Sequence, residues 1–290
     1  MTQIITSLSE ISESYDALFC DLWGCVHDGL TPFAEAVAAL QAFRAKGGTV
    51  MMVTNAPRPH APVRRQLERL GVPSDAYDGI ATSGDSARAA MLRGAVGEKV
   101  YFIGQSHDQD FFTPLELIEN PVVISQVALE QAEGIVCCGP FDPLADPDEM
   151  RAHFLQAKAR GLKLLCANPD IVVDRGETRE WCAGALAKLY TEMGGESLYF
   201  GKPHPPIYDL ARRRLEALDK DIPDSRILCV GDGILTDIDG AMGEDLDSLF
   251  ITGGLAAQET QTTDQPDPAA LTAYLTKEMR QPTYCIGKLR

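Results

Sequence analysis

Residues able to take part in chemistry stand at the ends of predicted strands or beside the start of predicted helices: Asp21, Thr54-Asn55, Lys202, and Asp232 with Asp237. In an open parallel sheet the ligand crevice lies outside the carboxyl ends of the strands. We therefore expect these residues to converge, although they are far apart in the chain. Carboxylates gathered there could hold a divalent cation, which is the simplest source of local positive potential for an acidic protein that handles a phosphate.

The elements that must position these residues alternate between strand and helix. Buried, strand-like runs cover 17–20 and 49–53, and apolar residues at helical spacing cover 33–46 and 62–70. A short helix is also expected at 9–14. The alternation predicts parallel strands joined by right-handed crossovers.

A similar unit is predicted near the other end of the chain. It consists of a helix at 205–218, a strand at 226–230, a helix that begins at 237–242 and a strand at 248–251. About 110 residues lie between the two halves, with strands of their own at 100–103, 134–138 and 162–166 and helices at 147–160 and 182–193. An inserted second domain explains this stretch better than one long sheet does. The segment 258–268, rich in Gln, Thr, Asp and Pro, is expected to be an exposed connection.

Composition excludes several classes of protein. The 290 residues carry a net charge of −16, from 42 acidic and 26 basic residues, so nucleic acid is an improbable partner. No run reaches the ~18 apolar residues of a membrane span, and the first ten residues lack the features of a signal peptide. The eight cysteines include no C-x-x-C pair, which favours reduced thiols. We expect a cytoplasmic protein with neither a membrane nor a nucleic-acid partner.

Taken together, the polar motifs resemble those of the haloacid-dehalogenase superfamily, and specifically its NagD-like and 4-nitrophenylphosphatase-like subclass (subclass IIA). The resemblance covers nearly the whole chain, in order and spacing. It rests on four motifs, each weak alone: Cys20-Asp21-Leu22-Trp23-Gly24, Val53-Thr54-Asn55, Gly201-Lys202-Pro203, and Gly231-Asp232-Gly233 with Thr236-Asp237. It implies an α/β fold in which a Rossmann-like parallel-sheet core, with helices on both faces, carries an inserted α/β cap domain. The expected bounds are 1–82 and 197–290 for the core and 83–196 for the cap.

The resemblance also implies roles for these residues. Asp21 would be the nucleophile, while Thr54, the neighbouring Asn55 and Lys202 would hold the phosphoryl oxygens. Mg²⁺ would be the cofactor, because a carboxylate that attacks a phosphate dianion needs a cation bridging both groups. Its oxygen ligands would come from the carboxylates of Asp21 and Asp232, the backbone carbonyl of Trp23, and Asp237 directly or through water.

The cap also carries residues that the resemblance points to. Asn168-Pro169-Asp170 and Ser83 look like parts of the subclass cap, and Asn168, Asp170, Arg175 and Trp181 are speculative specificity residues. Asn168-Pro169-Asp170 is equally consistent with a β-turn that has no chemical role. The turn residues around Asp21, Thr54, Lys202 and Asp232 also have structural interpretations, although four motifs in the expected order outweigh them.

The sequence departs from the family pattern at Trp23. Family phosphatases carry a second Asp there, which protonates the leaving oxygen and later activates water. Its loss should cost on the order of 10²–10⁴ in the rate of each step it serves. His27 and Asp28, on the same loop, are the candidates for a substitute acid and base, although a lone loop histidine is commonly a surface residue.

The resulting prediction is a Mg²⁺-dependent phosphatase acting on a small phosphorylated metabolite through an aspartyl-phosphate at Asp21, with reduced or narrowed activity as one outcome. If His27 or Asp28 acts as the substitute acid, the leaving group does not restrict the choice of substrate. If no residue replaces the acid, the enzyme would favour substrates whose leaving group needs none, such as aryl or acyl phosphates. A phosphoryl-binding or regulatory protein with little turnover is an alternative from another class. A carbon–halogen hydrolase is a further alternative. Asp232 and Asp237 disfavour it, because displacing halide from carbon needs no carboxylates to hold a metal. The assembly state is left open, with a homodimer as one candidate.

Overall fold

The computed structural model describes residues 2–113, 120–175 and 178–290. The chain divides into two compact units. The core unit comprises Met1–Thr54, Arg64–Ala81 and Lys202–Arg290, and the cap unit comprises Asn55–Val63 and Thr82–Gly201. Across the described residues, no helix combines the length and the apolar character needed to cross a bilayer.

The described strands, in chain order, are β1 (Gln3–Ile4), β2 (Ala17–Cys20), β3 (Thr49–Thr54), β4 (Gly79–Thr82), β5 (Lys99–Ile103), β6 (Ser125–Gln126), β7 (Gly134–Cys137), β8 (Lys163–Cys166), β9 (Val172–Arg175), β10 (Thr178–Trp181), β11 (Glu196–Tyr199), β12 (Ile227–Gly231), β13 (Asp247–Ile251) and β14 (Tyr284–Ile286). The α-helices are α1 (Ala34–Ala45), α2 (His60–Leu70), α3 (Ser83–Leu92), α4 (Arg151–Ala159), α5 (Ala183–Glu192), α6 (Pro205–Glu216), α7 (Asp239–Gly243) and α8 (Pro268–Glu278).

The core unit is built on a sheet with the strand order β1-β14-β13-β12-β2-β3-β4. The pairs from β1 through to β3 are all parallel. Strand β2 lies inside the sheet, with β3 on one side and β12 on the other. The chain therefore leaves β2 toward one edge of the sheet and later returns on the opposite side, which is the switch point where α/β sheets open a crevice.

Both faces of this sheet are covered. On one face Phe19 and Met51 pack with Ile207 and Ala211 of α6 in a single apolar cluster. Successive strand residues point to opposite faces, so Leu18 must face the other way, and it too is fully buried. Burial on both faces explains why β2 and β3 are continuous apolar runs rather than alternating ones.

The cap unit contains a second parallel sheet, with the order β11-β8-β7-β5-β6, and a separate antiparallel hairpin, β9-β10. Residues of β7 and β8 that face one side pack with Phe154 of α4 and Leu186 of α5. Residues on the other side pack with Ala87 and Met91 of α3. The inserted region is thus an α/β layer with its own two-sided core.

Several predicted elements differ in detail. The expected helix at 9–14 is instead two 3₁₀ turns, Leu8–Glu10 and Ser12–Ser14. The helix expected from 237 begins as a π-helical turn, Ile234–Ile238, and becomes α-helical only from Asp239. The connection at 258–268 is not wholly exposed, because Thr260 and Pro266 are buried within it.

Candidate active site

Asp21 directly follows β2, an interior strand of the core sheet that pairs with β12 and β3. Its backbone N–H donates to the carbonyl of Val230 at 2.8 Å, so the residue is still attached to the neighbouring strand β12. That attachment fixes where the carboxylate stands, at the carboxyl end of two adjacent strands. Asp21, Lys202, Asp232 and Asp237 are all buried, with 7%, 3%, 6% and 5% of their surface exposed.

Lys202 lies between two of these carboxylates. Its Nζ is 2.6 Å from Asp21 Oδ1 and 2.7 Å from Asp237 Oδ1. The second oxygen of Asp237 accepts the backbone N–H of Gly233 at 3.0 Å. An ammonium group held in this way neutralises charge on both carboxylates and is itself fixed in position.

The carboxylate of Asp232 sits in a narrow backbone cradle. A Cβ atom added at either Gly24 or Gly254 would collide with it, so both positions require glycine for close approach. Asp232 Oδ2 accepts the backbone N–H of Leu255 at 3.0 Å. The close approach of the Asp232 carboxylate thus explains why the first motif has a glycine at position 24.

Three buried carboxylates share one ammonium group. Burial, followed by repulsion from Asp21 and Asp237, raises the pKa of Asp232 well above its usual value. Such a cluster has a surplus of negative charge, which is the condition a divalent cation relieves. The residues therefore fit a hard cation with oxygen ligands, as the sequence predicted.

Two of the expected ligands, Asp21 and Asp232, lie together with a residue that the sequence did not indicate. Asp21, Cys25 and Asp232 each offer one ligand atom, and these three atoms lie within 4.8 Å of one another. Asp237 is instead engaged by Lys202 and Gly233, which favours contact with a cation through water. Sequence reasoning missed Cys25, because a thiol among apolar neighbours is typical of a buried hydrophobe.

Trp23 is seated firmly on the loop that follows Asp21. Its ring packs edge-on against the His27 ring, with centroids 5.2 Å apart. A Cβ atom at Gly29, where φ is +87°, would collide with the indole. The Trp23 ring therefore packs directly against the backbone of Gly29. The Gly24 N–H donates to the His27 carbonyl at 2.9 Å and closes the turn.

The two candidates for a substitute acid are both engaged in holding this loop. His27 is buried rather than on the surface, and burial lowers its pKa to about 4. Its Nδ1 accepts the backbone N–H of Gly29 at 3.0 Å. Asp28 accepts the backbone N–H groups of Leu30 and Thr31, and these bonds lower its pKa. The lowered pKa values and these hydrogen bonds disfavour both residues as the acid that protonates a leaving group near neutral pH.

The boundary between the two units falls within the second sequence motif, Val53-Thr54-Asn55. Thr54 is the last residue of β3 and is buried, while Asn55 opens the cap unit. The Asn55 side-chain amide donates to Asp170 Oδ1 at 2.8 Å. Asp170 is itself held in a turn by Asn168, whose Oδ1 accepts its backbone N–H at 3.0 Å.

The remaining predicted specificity residues lie on the β9-β10 hairpin. Arg175 pairs with Glu180 across the two strands at 3.2 Å. Trp181 is exposed, and its backbone N–H donates to the Pro143 carbonyl at 2.8 Å. Within the cap unit the structure joins Asn168 and Asp170 through a hydrogen bond, whereas Arg175 and Trp181 are placed on the hairpin.

Comparison with known proteins places this geometry in a family. Residues 18–117 match a family of haloacid dehalogenase-like hydrolases, and residues 199–277 match a second family of the same type. A solved haloacid dehalogenase-like hydrolase from Brucella suis is 39% identical, with a TM-score of 0.85 over 99% of this chain and 100% of that one. The chain therefore belongs to the haloacid dehalogenase-like hydrolases.

Two relatives carry activities in their names. A D-glycerol 3-phosphate phosphatase from Mycobacterium tuberculosis is 27% identical over 98% of this chain and 72% of its own length. A glycerol phosphate phosphatase structure from the same organism, in complex with magnesium, is 25% identical, with a TM-score of 0.66 over 99% of this chain and 78% of that one. The predicted superfamily and the predicted fold, a Rossmann-like core with an α/β cap, are confirmed by these comparisons.

Proposed function

We propose that the chain is a Mg²⁺-dependent phosphatase that acts on small phosphorylated metabolites through an aspartyl-phosphate at Asp21. The observation that carries the proposal is the buried group of Asp21, Lys202, Asp232 and Asp237 at the carboxyl end of β2 and β12. The names of the glycerol phosphate phosphatases, one of them solved with magnesium, support the substrate class and the cofactor.

Each residue has a chemical task in this mechanism. The carboxylate of Asp21 attacks phosphorus, and Lys202 neutralises charge on both the nucleophile and the phosphoryl oxygens. Thr54 donates its hydroxyl to one phosphoryl oxygen, beside Asn55. Asp21 and Asp232, with the Trp23 carbonyl, would hold Mg²⁺ directly, and Asp237 would reach it through water. When bound, Mg²⁺ supplies Lewis-acid stabilisation of the charge that develops on the phosphoryl group.

The Trp23 loop supports a narrowed range of substrates. The indole replaces a carboxylate, and the hydrogen bonds of His27 and Asp28 disfavour both as its substitute. Protonation of a strongly basic leaving group is then unassisted. Esters that release a weak base need no such help, so we infer a preference for aryl and acyl phosphates over alkyl phosphates.

The same observation favours a second candidate, a phosphoryl-binding protein with little turnover. If no group activates water, the aspartyl-phosphate at Asp21 would accumulate and the protein would report on a phosphorylated metabolite rather than consume it. The site residues are the same, so only kinetics separates the two candidates.

A steady-state assay with Mg²⁺ across alkyl, aryl and acyl phosphates tests the proposal. We expect turnover that is abolished by EDTA and by Asp21→Asn. Stoichiometric release of one leaving group per chain, followed by no further turnover, would favour the binding protein. Hydrolysis that persists in EDTA at the full rate would contradict both candidates.

A further inference from the structure

The cation site of this chain contains a thiol. Cys25 is buried with 1% of its surface exposed, and its Sγ lies within 4.8 Å of ligand oxygens from both Asp21 and Asp232. Cys25 forms no disulfide, and no described residue is recorded as a hydrogen-bond partner of its Sγ. The buried sulfur and the two carboxylates together offer three ligand atoms that converge on one place.

The backbone holds this thiol in place. The turn that carries Cys25 is closed by two hydrogen bonds to the Leu22 carbonyl, from Val26 N–H at 2.8 Å and His27 N–H at 3.1 Å. Gly24, with φ at +74°, brings the same turn against the Asp232 carboxylate. The sulfur cannot swing away into solvent, because the turn and the core enclose it.

We propose that Asp21, Cys25 and Asp232 form a site for a thiophilic divalent cation, Zn²⁺ or Cd²⁺, that displaces Mg²⁺. Mg²⁺ prefers six oxygen ligands and does not use sulfur, whereas Zn²⁺ readily combines thiolate and carboxylate ligands. Three protein ligands around a tetrahedral ion leave one open position. Zn²⁺ also stands above the hard divalent ions in intrinsic affinity for most ligand sets.

The geometry needs little adjustment. With metal–ligand distances of about 2.0–2.3 Å, the ligand atoms of a tetrahedral zinc site lie about 3.5 Å apart. Atoms that are at most 4.8 Å apart must therefore close by no more than about 1.3 Å. Small side-chain rotations suffice, and the thiol releases its proton to the buffer on binding.

Displacement follows because the two ions compete for the same carboxylates. A tetrahedral ion with one open position cannot hold both the water ligands and the phosphoryl oxygen that an octahedral ion accommodates. Micromolar Zn²⁺ should then act as an inhibitor in the presence of excess Mg²⁺. Displacement and inhibition rest on the Mg²⁺ site of the proposed function, whereas binding of Zn²⁺ or Cd²⁺ by Asp21, Cys25 and Asp232 can be measured without it.

The test is a Cd²⁺ titration of the untagged full chain in a phosphine reductant, followed by ultraviolet absorbance. We expect a sulfur-to-cadmium charge-transfer band that saturates at one ion per chain. It should be lost in Cys25→Ala and in the closer isostere Cys25→Ser. Cys285→Ala is the matched control, because Cys285 is another buried thiol of the core unit outside this cluster.

A second measurement uses Zn²⁺ affinity by competition with a chromophoric chelator. Changing even an outer partner of a metal ligand costs about 10–100-fold in affinity, so loss of the sulfur should raise the Kd by about 100-fold or more. An undiminished band and an unchanged Kd in a folded Cys25 variant would overturn the proposal. Loss of the band in Cys285→Ala as well would also overturn it.

Discussion

Lys202 Nζ lies 2.6 Å from Asp21 Oδ1, inside a group that holds three carboxylates and one ammonium ion. The cation therefore does two tasks. It balances charge in the absence of metal, and in the mechanism proposed above it would also meet the phosphoryl group on Asp21. This pairing of two residues separated by 181 positions in the chain is the central feature of the site.

Removing that cation should destabilise the metal-free protein. Lys202→Met leaves Asp21 and Asp237 buried without their partner, and breaking a buried pair in this way costs about 3–5 kcal/mol. We expect a marked fall in the melting temperature in EDTA, with a larger recovery on adding Mg²⁺ than wild type shows. Lys220→Met, at an exposed lysine, is the control. Equal melting temperatures for the two variants would contradict this assignment of charge.

The carboxylate of Asp232 should make the metal-free protein less stable at neutral than at acid pH. Its pKa is raised in the folded state, so the folded chain binds this proton more tightly than the unfolded chain does. The stability it provides is complete below the ordinary pKa of an aspartate and is lost as pH rises through the folded value.

Asp232→Asn removes that titration. In EDTA the variant should melt higher than wild type at pH 7, and the difference should shrink as pH falls toward 4. With saturating Mg²⁺ the order should reverse, because wild type gains binding free energy that the variant lacks. A variant that is less stable than wild type in EDTA at pH 7 would show that Asp232 is stabilised by contacts rather than strained by its neighbours.

Trp23 should set the dependence of rate on the leaving group. Trp23→Asp introduces a carboxylate that could act as the acid, and should raise kcat/KM for alkyl phosphates by about 10²–10⁴. Turnover of 4-nitrophenyl phosphate, which releases a weak base, should change far less. Equal and fast hydrolysis of both ester classes by the wild type would contradict this and would point to another acid.

The contact between Gly29 and the Trp23 ring offers a control for that experiment. Gly29→Ala places a methyl group against the Trp23 ring, whereas Gly47→Ala imposes the same positive-φ strain, at +97°, with nothing within 4 Å. A change in leaving-group preference confined to the Gly29 variant would assign the effect to the position of Trp23. The same change in both variants would assign it to general destabilisation.

Asp170 should position the phosphate-binding residues through Asn55. Asp170→Ala removes the acceptor of the Asn55 amide, and a hydrogen bond to a charged group is worth about 1.5–3 kcal/mol. We expect kcat to fall by about tenfold or more, with near-complete rescue in Asp170→Asn, which keeps the acceptor oxygen. Loss of activity that is equal in both variants would show that the charge, rather than the hydrogen bond, is what matters.

The parts of the fold that sequence predicted are those with strong local signals. Strand β2 could be recognised because four buried residues end at Asp21, and α6 because its apolar residues recur at helical spacing. Helix α3 was missed because it opens with Ser83-Gly84-Asp85-Ser86, a polar run that normally indicates a loop. Gly84 of this helix lies against the backbone carbonyls of Pro57 and Arg58, and no local pattern records that contact.

The residues of the candidate site also divide into those that the sequence indicates locally and those that only tertiary packing brings together. Asp21, Asp232 and Lys202 could be found from motif order, because their side chains follow strands or precede a helix. The approach of Cys25 and the burial of His27 depend on the tertiary structure of the turn that follows Asp21. The pairing of Asp237 with Lys202 depends on a contact between residues that are 35 positions apart. A cysteine or a histidine in a loop carries no local sign of what lies opposite it.

The most direct test of the account is a rapid-quench search for phosphate bound covalently at Asp21. Wild-type enzyme is mixed with Mg²⁺ and 4-nitrophenyl phosphate carrying a labelled phosphoryl group, quenched in acid, and the labelled protein is treated with hydroxylamine. We expect a burst of label of up to one per chain, released by hydroxylamine. Asp21→Asn should carry no label and should lose at least about 10³-fold in kcat while remaining folded. Turnover by wild type without any labelled protein, or a tenth of wild-type activity surviving in Asp21→Asn, would contradict covalent catalysis at this residue.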